Sequence, residues 1–426
     1  MTDNDKKKGL VSQSIIYLIA NLLNAAIPFA LLPVLTRVLS PSEYGEIAMF
    51  QTSIAALGAF IGLSVQGAAL RKFYDKGQNE NLAEFIGTCV QILLITAVIT
   101  CVMIFVFSGV LQDYTSIAFS WLIFVVVVCV SDFLVQIRLT QWQVRGKAVN
   151  FGLLQLARTL SNLVLSLVFV LVMLKGADGR ILGVTLTAVL FGLIAILSLR
   201  YDNLIKFFQF RSDYYKEALS FGIPLIPHVS GAFLISSADR FFINAVTGME
   251  SAGLYMVAVQ LAMGVAIVFD SFNRAYAPWL YGKLSTPEPA GHAKIVRFTY
   301  IYFALLLLLI PLAFLIGPYV LIFIAGERYA AAAEVIGLLV TGQIFGGMYL
   351  MVTNYVFYSK RVGYLSLITI SSGLLNLFLL SLLLPKIGLT GAALAFAISM
   401  FIQFILTWFL AAKRHPMPWL KIIVPV

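Results

Sequence analysis

Apolar runs of about 20 residues recur from one end of this chain to the other, and at ~1.5 Å per residue each is long enough for the roughly 30 Å hydrocarbon core of a bilayer. A backbone amide or carbonyl left without a partner in hydrocarbon costs several kcal/mol, so such segments cross as helices that satisfy themselves. Composition agrees: of 426 residues 61% are hydrophobic and only 11% charged. Mean hydropathy is +0.95, well outside the range of soluble globular chains. The expected class is an all-α polytopic membrane protein.

Breaks at charged or turn-rich segments divide the chain into twelve spans, at 12–38, 44–70, 83–107, 115–138, 150–174, 181–200, 218–246, 252–278, 298–323, 331–357, 362–385 and 388–411. Linkers are short, the longest running from Arg200 to about Glu217, and none has room for a soluble catalytic domain. Lysines and arginines collect in alternate loops, 21 against 5, which by the positive-inside rule places both termini in the cytoplasm. The rich set comprises Lys6, Lys7 and Lys8, Arg71, Lys72 and Lys76, Arg138, Arg145 and Lys147, Arg200, Lys206, Arg211 and Lys216, Lys283, Lys294 and Arg297, Lys360 and Arg361, and Lys413, Arg414 and Lys421. The poor set is Arg37, Lys175, Arg180, Arg328 and Lys386. Much of the net charge of +10 is therefore topology, and a nucleic-acid partner is not indicated. The first apolar run is longer than a signal-peptide core and no small-residue cleavage pattern follows, so it reads as a retained span.

Pro28 and Pro33 each remove a backbone donor from the first span, and a bend is expected there. A Ser-Pro turn then leads into the second span. The same arrangement returns 208 residues later, where Gly253-Leu-Tyr answers Gly45-Glu-Ile and the spans 220–246 and 252–278 answer 12–38 and 44–70. Six spans per half start both halves on the same side, giving a parallel repeat. The expected domains are an N-terminal lobe, 1–205, with a cytoplasmic N-tail and a C-terminal lobe, 206–426, with a short cytoplasmic C-tail. Between them lies a cleft for alternating access.

Ionisable side chains inside spans are expensive and therefore informative. Asp132 and Arg158 lie at similar depth on the fourth and fifth spans and are placed to pair. Asp239 and Arg240 are adjacent in the seventh span and are not expected to share a helix face, so one needs a partner elsewhere. Asp270 and Arg274 are spaced i,i+4 in the eighth span and form a local ion pair. Each pair has two readings: a salt bridge that fixes packing or closes a gate, or arginines lining the cleft to bind an anionic group. Guanidinium supports the second because its parallel donors match phosphate oxygens. Arg158 and Arg240 lead the candidates, with Arg37 and Arg274 at the two mouths. His228, in the Pro-rich PLIPH segment, is either a proton-coupling residue or a neutral partner for carbonyls freed by the prolines.

The amides Asn21, Asn24, Gln66, Asn273, Gln343, Asn354 and Asn376 either bond sugar hydroxyls in a wet cavity or tie helix to helix. Trp121, Trp279 and Trp408 read as interfacial rings. Cys89, Cys101 and Cys129 fall within apolar runs as packing residues and form neither a disulfide framework nor a metal site. Nucleophile–base pairs, Walker loops and dinucleotide fingerprints are absent from the sequence, so no enzyme activity and no cofactor is expected.

The segments LLPVLTRVLSPSEYGEIAMF at 31–50, FGIPLIPH at 221–228, ADRFFI at 238–243 and AGLYMVA at 252–258 resemble the polysaccharide transporter family, with matching length and span count. That family includes bacterial O-antigen and capsule-unit flippases, within the multidrug, oligosaccharidyl-lipid and polysaccharide exporter superfamily. The resemblance implies a two-lobed fold similar to the multidrug and toxin extrusion transporters, in the bacterial cytoplasmic (inner) membrane. The implied substrate is an undecaprenyl-diphosphate-linked oligosaccharide, an O-antigen or related repeat unit. Membrane lipids, a glycan polymerase and a chain-length regulator are the implied partners. Family members use cavity cations as a class, which fits Arg158, Arg240 and Arg274. Coupling to a proton or sodium ion through Asp132, Asp239, Asp270 or His228 is an open alternative to glycan consumption outside.

Three rivals remain at this level. A drug or cation antiporter on the same fold would want carboxylates, yet each buried aspartate here has an arginine nearby. A lipid-linked peptidoglycan precursor flippase would carry two further C-terminal spans. A membrane polymerase or ligase would need a sizeable outer loop.

Overall fold

The structure, a computed structural model, describes residues 20–21, 23–27, 29–75, 79–207, 210–285, 289–359 and 363–419. Lys6, Lys7, Lys8, Pro28, Lys76, Lys360, Arg361 and Lys421, which carry part of the orientation and first-helix expectations, lie outside the described residues. Every regular element among the described residues is helical, and nine of these helices are long and apolar enough to cross a membrane. The chain divides into two compact units, Met1–Val229 and Ser230–Val426.

In the first unit α1 (Leu23–Val38) continues helically through Pro33, and a turn at Leu39 and Ser40 leads into α2 (Pro41–Gly58). Pro41 suits the first helical position, where an amide would have no partner. Glu43 accepts from the Ser40 amide at 2.8 Å and the Ser40 hydroxyl accepts from the Glu43 amide at 3.3 Å, so the Ser-Pro turn is a fully capped helix start.

The second span departs from expectation. Residues 44–70 are not one helix: α2 ends at Gly58 and the chain turns before α3 (Gln66–Phe73). Gly62, Leu63 and Ser64 take successive φ values of +80°, +47° and +57°. For an L-residue this left-handed geometry costs roughly 1–2 kcal/mol. Packing imposes it, because a Cβ on Gly62 would lie 2.4 Å from the Phe133 ring, and one on Gly222 would lie 2.2 Å from the Leu63 carbonyl. Neighbours meet the released backbone: the Gly62 amide donates to Thr96 Oγ1 at 2.8 Å, and the Cys89 thiol donates to the Val65 carbonyl at 3.8 Å.

The unit is completed by α4 (Asn79–Val106), α5 (Ser108–Thr115), α6 (Phe119–Val144), α7 (Ala148–Leu167) with a π-helical turn at Val168–Val172, α8 (Gly176–Tyr201) and α9 (Ser212–Gly222). Phe50, Phe85, Leu93, Val135, Ala195 and Leu199 belong to its buried core. Where α6 and α8 end and α4 begins, the charges pair off. Arg138, expected in a loop, lies in α6 at 2% exposure, stacked 4.2 Å from the Trp142 ring and paired with Asp202. Its hydrogen bond holds the Asp202 carboxyl below the usual carboxylate range. Lys72 pairs with Glu217 at 2.8 Å, and Lys206 and Arg211 reach Glu84 at 3.5 and 3.3 Å.

The seventh span tightens at its prolines and breaks beyond them. A 3₁₀ turn at Ile223–Leu225 precedes α10 (Ile226–Ser236), and a further turn separates α11 (Asp239–Thr247). In the second unit Gly248, at φ +90°, opens α12 (Met249–Leu284), followed by α13 (Pro289–Ala325), α14 (Ala333–Tyr358) and α15 (Gly363–Arg414). As a straight rod the 52 residues of α15 would span far more than a bilayer. Ile387 and Gly388 leave helical geometry, and a Cβ on Gly391 would sit 2.5 Å from the Leu383 carbonyl, so the chain doubles back there. The break coincides with the boundary expected between the last two spans.

After α15 the chain packs back on its own unit. The Tyr300 hydroxyl donates to the Trp419 carbonyl at 2.7 Å, and the His415 ring lies 6.1 Å from that of His292 and 5.4 Å from Tyr358. Burial first, and His292 second, hold the His415 imidazole below its usual range. The fold thus favours neutral His415, and its contribution is complete above the ordinary histidine pKa of about 6.5 and is lost as pH falls toward the lower folded value. The melting-temperature advantage of the wild type over His415→Gln in detergent should therefore shrink between pH 7.5 and pH 5; an advantage independent of pH would contradict this.

Gly62→Ala combines a left-handed backbone with a ring clash, and overpacking typically adds about 1–3 kcal/mol. Its melting temperature should fall by several degrees, at about 2–4 °C per kcal/mol. Gly58→Ala, whose Cβ meets open space, should leave it unchanged. Equal melting temperatures for the two variants would show that the irregular segment is not held by packing.

Candidate functional site

One face of α7 carries Gln155, Arg158, Thr159, Asn162 and Ser166, spaced by three and four residues and so aligned along one stripe. Leu153, Leu160 and Val164 face away and are exposed, as lipid-facing residues are. Together with α1, α6 and α8 the polar stripe encloses a cavity of about 270 Å³ whose lining includes Asn24, Gln136, Gln155, Arg158, Asn162 and Arg180. Two glycines of α8 set its depth. A Cβ on Gly183 would lie 2.8 Å from Ser166 Oγ, and one on Gly179 would lie 2.8 Å from the Phe169 carbonyl, so α8 approaches α7 as closely as backbone allows.

Hydrogen bonds link the walls. Arg158 pairs with Asp132 of α6, Gln155 Nε2 donates to Asn21 Oδ1 at 3.2 Å, and the Thr159 hydroxyl donates to Asn24 Oδ1. Arg180 Nη1 donates to Asn162 Oδ1 and to Ser166 Oγ. The cavity therefore offers guanidinium, amide and hydroxyl groups, the side-chain set that binds oxyanions and sugar hydroxyls. Among the described residues no group of three or more His, Cys, Asp or Glu is placed to hold a metal ion.

The other expected residues sit elsewhere. Asp239 and Arg240 share one place after all: Arg240 Nη1 lies 3.2 Å from Asp239 Oδ1, both residues are at most 4% exposed, Arg240 also donates to the Ser236 carbonyl, and Tyr255 donates to Asp239 Oδ2 at 2.8 Å. The interior-helix argument against their pairing fails because α11 begins at Asp239, which frees both side chains from helical periodicity. Asp270 and Arg274 form the expected i,i+4 pair at 2.7 Å, on an exposed face. Arg37 is exposed in the last turn of α1. His228 is half-buried in α10, with Nδ1 enclosed and without a hydrogen-bond partner among the described residues, which does not match a partner for freed carbonyls. Of the amides, Asn354 donates to Asn273 at 2.7 Å and Asn376 to the Leu234 carbonyl at 3.2 Å, which ties helices together, whereas Asn21 and Asn24 bond the polar stripe of α7.

Arg180 was expected in an outer loop and lies instead one turn inside α8, 8% exposed. Asn162, Ser166, Gln155 and Thr159 were also passed over. Their spacing was the available signal, a polar stripe in a helix otherwise apolar enough to span.

The fold is similar to that of solved transporters. An inward-facing multidrug resistance MATE family transporter of the MOP superfamily superposes with a TM-score of 0.72 at 16% identity, covering 95% of this chain and 98% of that one. The lipid II flippase MurJ in its inward closed conformation gives 0.75 at 14% identity, covering 96% and 90%. These likenesses define the fold class: a polytopic helical protein with the fold of the solved transporters, nine of whose helices are long and apolar enough to cross a membrane. Residues 10–281 match the model described as polysaccharide biosynthesis protein, and the chain belongs to that family. An uncharacterized membrane protein of Haemophilus influenzae is 26% identical over 384 residues, 87% of this chain and 89% of its own length.

Removing one partner of a buried ion pair leaves the other charge stranded, at about 3–5 kcal/mol. Arg240→Gln should therefore reduce the folded yield and melting temperature more than the double variant Asp239→Asn with Arg240→Gln. Wild-type stability in the single variant would mean that Arg240 has a role other than packing.

Proposed function

We propose that the chain is a flippase that moves the hydrated head of a polyprenyl-diphosphate-linked oligosaccharide, an O-antigen or related repeat unit, across the bacterial cytoplasmic membrane. The polar cavity of the first unit carries this reading. It places guanidinium, amide and hydroxyl groups among helices apolar enough to span a membrane, and such groups in hydrocarbon mark a substrate path. Membership of the polysaccharide biosynthesis family supports the substrate class. A diphosphate and a glycan cannot enter hydrocarbon, while the polyprenyl tail need never leave it. The two units would alternate between openings toward either face, with the tail remaining in lipid. The excess of Lys and Arg in alternate loops supports both termini in the cytoplasm, and exported units would pass to a glycan polymerase and its chain-length regulator. A cationic-drug antiporter is less well supported because Asp132, the carboxylate beside the cavity, is already engaged by Arg158.

Reconstitution into liposomes with a fluorescent polyprenyl-diphosphate oligosaccharide tests the proposal, reading probe accessibility from each face with and without a proton or sodium gradient. Transbilayer movement should exceed that of protein-free vesicles, and Arg158→Gln, which strands Asp132, should slow it about tenfold or more, the equivalent of ~1.4 kcal/mol. Movement of a lipophilic cation, with none of the lipid-linked glycan, would replace the reading with the antiporter.

A further inference from the structure

We infer that Arg180 is the anion-holding residue of the cavity in the first unit, and that its ligand is an oxyanion: a phosphate of the lipid diphosphate or the carboxylate of an acidic sugar. The assignment rests on the flippase reading, which did not place Arg180 in any role.

The distinction lies in how the arginines are neutralised. Arg158 has Asp132, Arg240 has Asp239, Arg274 has Asp270 and Arg138 has Asp202. Arg180 is 8% exposed, and its partners are an amide oxygen and a hydroxyl, Asn162 Oδ1 and Ser166 Oγ. Among the described residues no carboxylate lies within ion-pair distance of it. Its Nε is enclosed with no acceptor among the described residues. A buried cation compensated only by neutral dipoles is expensive, and a nearby anion relieves that expense more than anything else.

The cavity supplies the place for one. Arg180 and Arg158 both line it, but Arg158 could take a ligand only by releasing Asp132, whereas Arg180 gives up no charge partner. The cavity, of about 270 Å³, is open at one side. This is room for an oxyanion beside the guanidinium. Asn24, Gln136 and Gln155 line the same space, so hydroxyls beside the anion meet amides. Gly179 and Gly183 fix the guanidinium against Asn162 and Ser166, so its donors are oriented before the ligand arrives.

Binding of inorganic pyrophosphate and of glucuronate to purified protein in detergent, by calorimetry and thermal shift, tests this with two probes that represent the two sources. One of them should bind the wild type, and the one that does identifies the source. Arg180→Gln should weaken that binding at least about tenfold, while Lys175→Gln, an exposed cation outside the cavity, should not. Asn162→Asp places a carboxylate against Arg180. It should raise the ligand-free melting temperature and abolish binding, and it remains informative if Arg180→Gln fails to fold. Wild-type binding by Arg180→Gln or Asn162→Asp, or no binding of either probe by the wild type, overturns the inference. Arg180-dependent binding without glycan movement in liposomes leaves the anion site standing and removes the flippase reading.

Discussion

In hydrocarbon a polar group must find its partner inside the protein, and this requirement shapes every place where the chain departs from a plain apolar helix. Where the backbone leaves helical geometry at 62–64, Thr96 and Cys89 supply the missing partners. Where α10 ends before the turn at 237–238, Asn376 reaches the Leu234 carbonyl. The linker after α8 is treated likewise: the Lys206 amide donates to the Ala83 carbonyl at 3.0 Å, and Gln91 donates to the Phe207 carbonyl. Each irregular stretch is thus tied to a neighbouring helix by a specific side chain or amide.

Charges obey the same rule more strictly, since an isolated ion in a low-dielectric medium is far costlier than an unmade amide bond. Lys72, Arg138, Arg158, Arg240 and Arg274 all touch a carboxylate, in settings from fully buried to exposed. Pairing of this kind does little for stability on its own, because desolvation offsets much of the attraction. Its effect is to remove net charge from the interior and to fix which helices lie together. Against that pattern a guanidinium held by an amide and a hydroxyl stands out as incomplete.

How much of this was legible in the sequence depended on whether the relevant periodicity was local. The Asp270–Arg274 pair follows from helical spacing alone, and the Asp132–Arg158 pair from equal depth in successive spans. The turn at Ile387 and Gly388 was readable because Pro385, Lys386 and Gly388 interrupt the apolar run. Asp239 and Arg240 were misjudged because an unbroken helix was assumed, whereas the chain turns at 237–238 and a new helix begins at Asp239. Nothing local announces the left-handed run at 62–64: Leu63 and Ser64 are ordinary span residues, and only the Phe133 ring and Gly222 reveal why the backbone turns. Arg180 was assigned to a loop because it lies one turn inside a boundary, within the usual uncertainty of such limits. The stripe on α7 could have corrected that, because five polar residues on one face require something polar opposite.

A cation kept without a counter-ion raises the free energy of the empty protein, and the same arrangement makes ligand binding stabilising. A ligand that binds only the folded state lowers its free energy by RT ln(1 + [L]/Kd), so an arriving anion recovers what the empty cavity forgoes. The gain would be felt by α7 and α8, which hold Asn162, Ser166 and Arg180. The polar face of α7 runs directly into the π-helical turn at Val168–Val172, where the Met173 amide bonds the Val168 carbonyl at 3.0 Å and the Lys175 amide the Phe169 carbonyl at 3.1 Å. Such turns shift the hydrogen-bond register by one residue and recur at functional sites. An anion held by Arg180 therefore sits beside the part of α7 whose backbone pairing has already left the α-helical pattern.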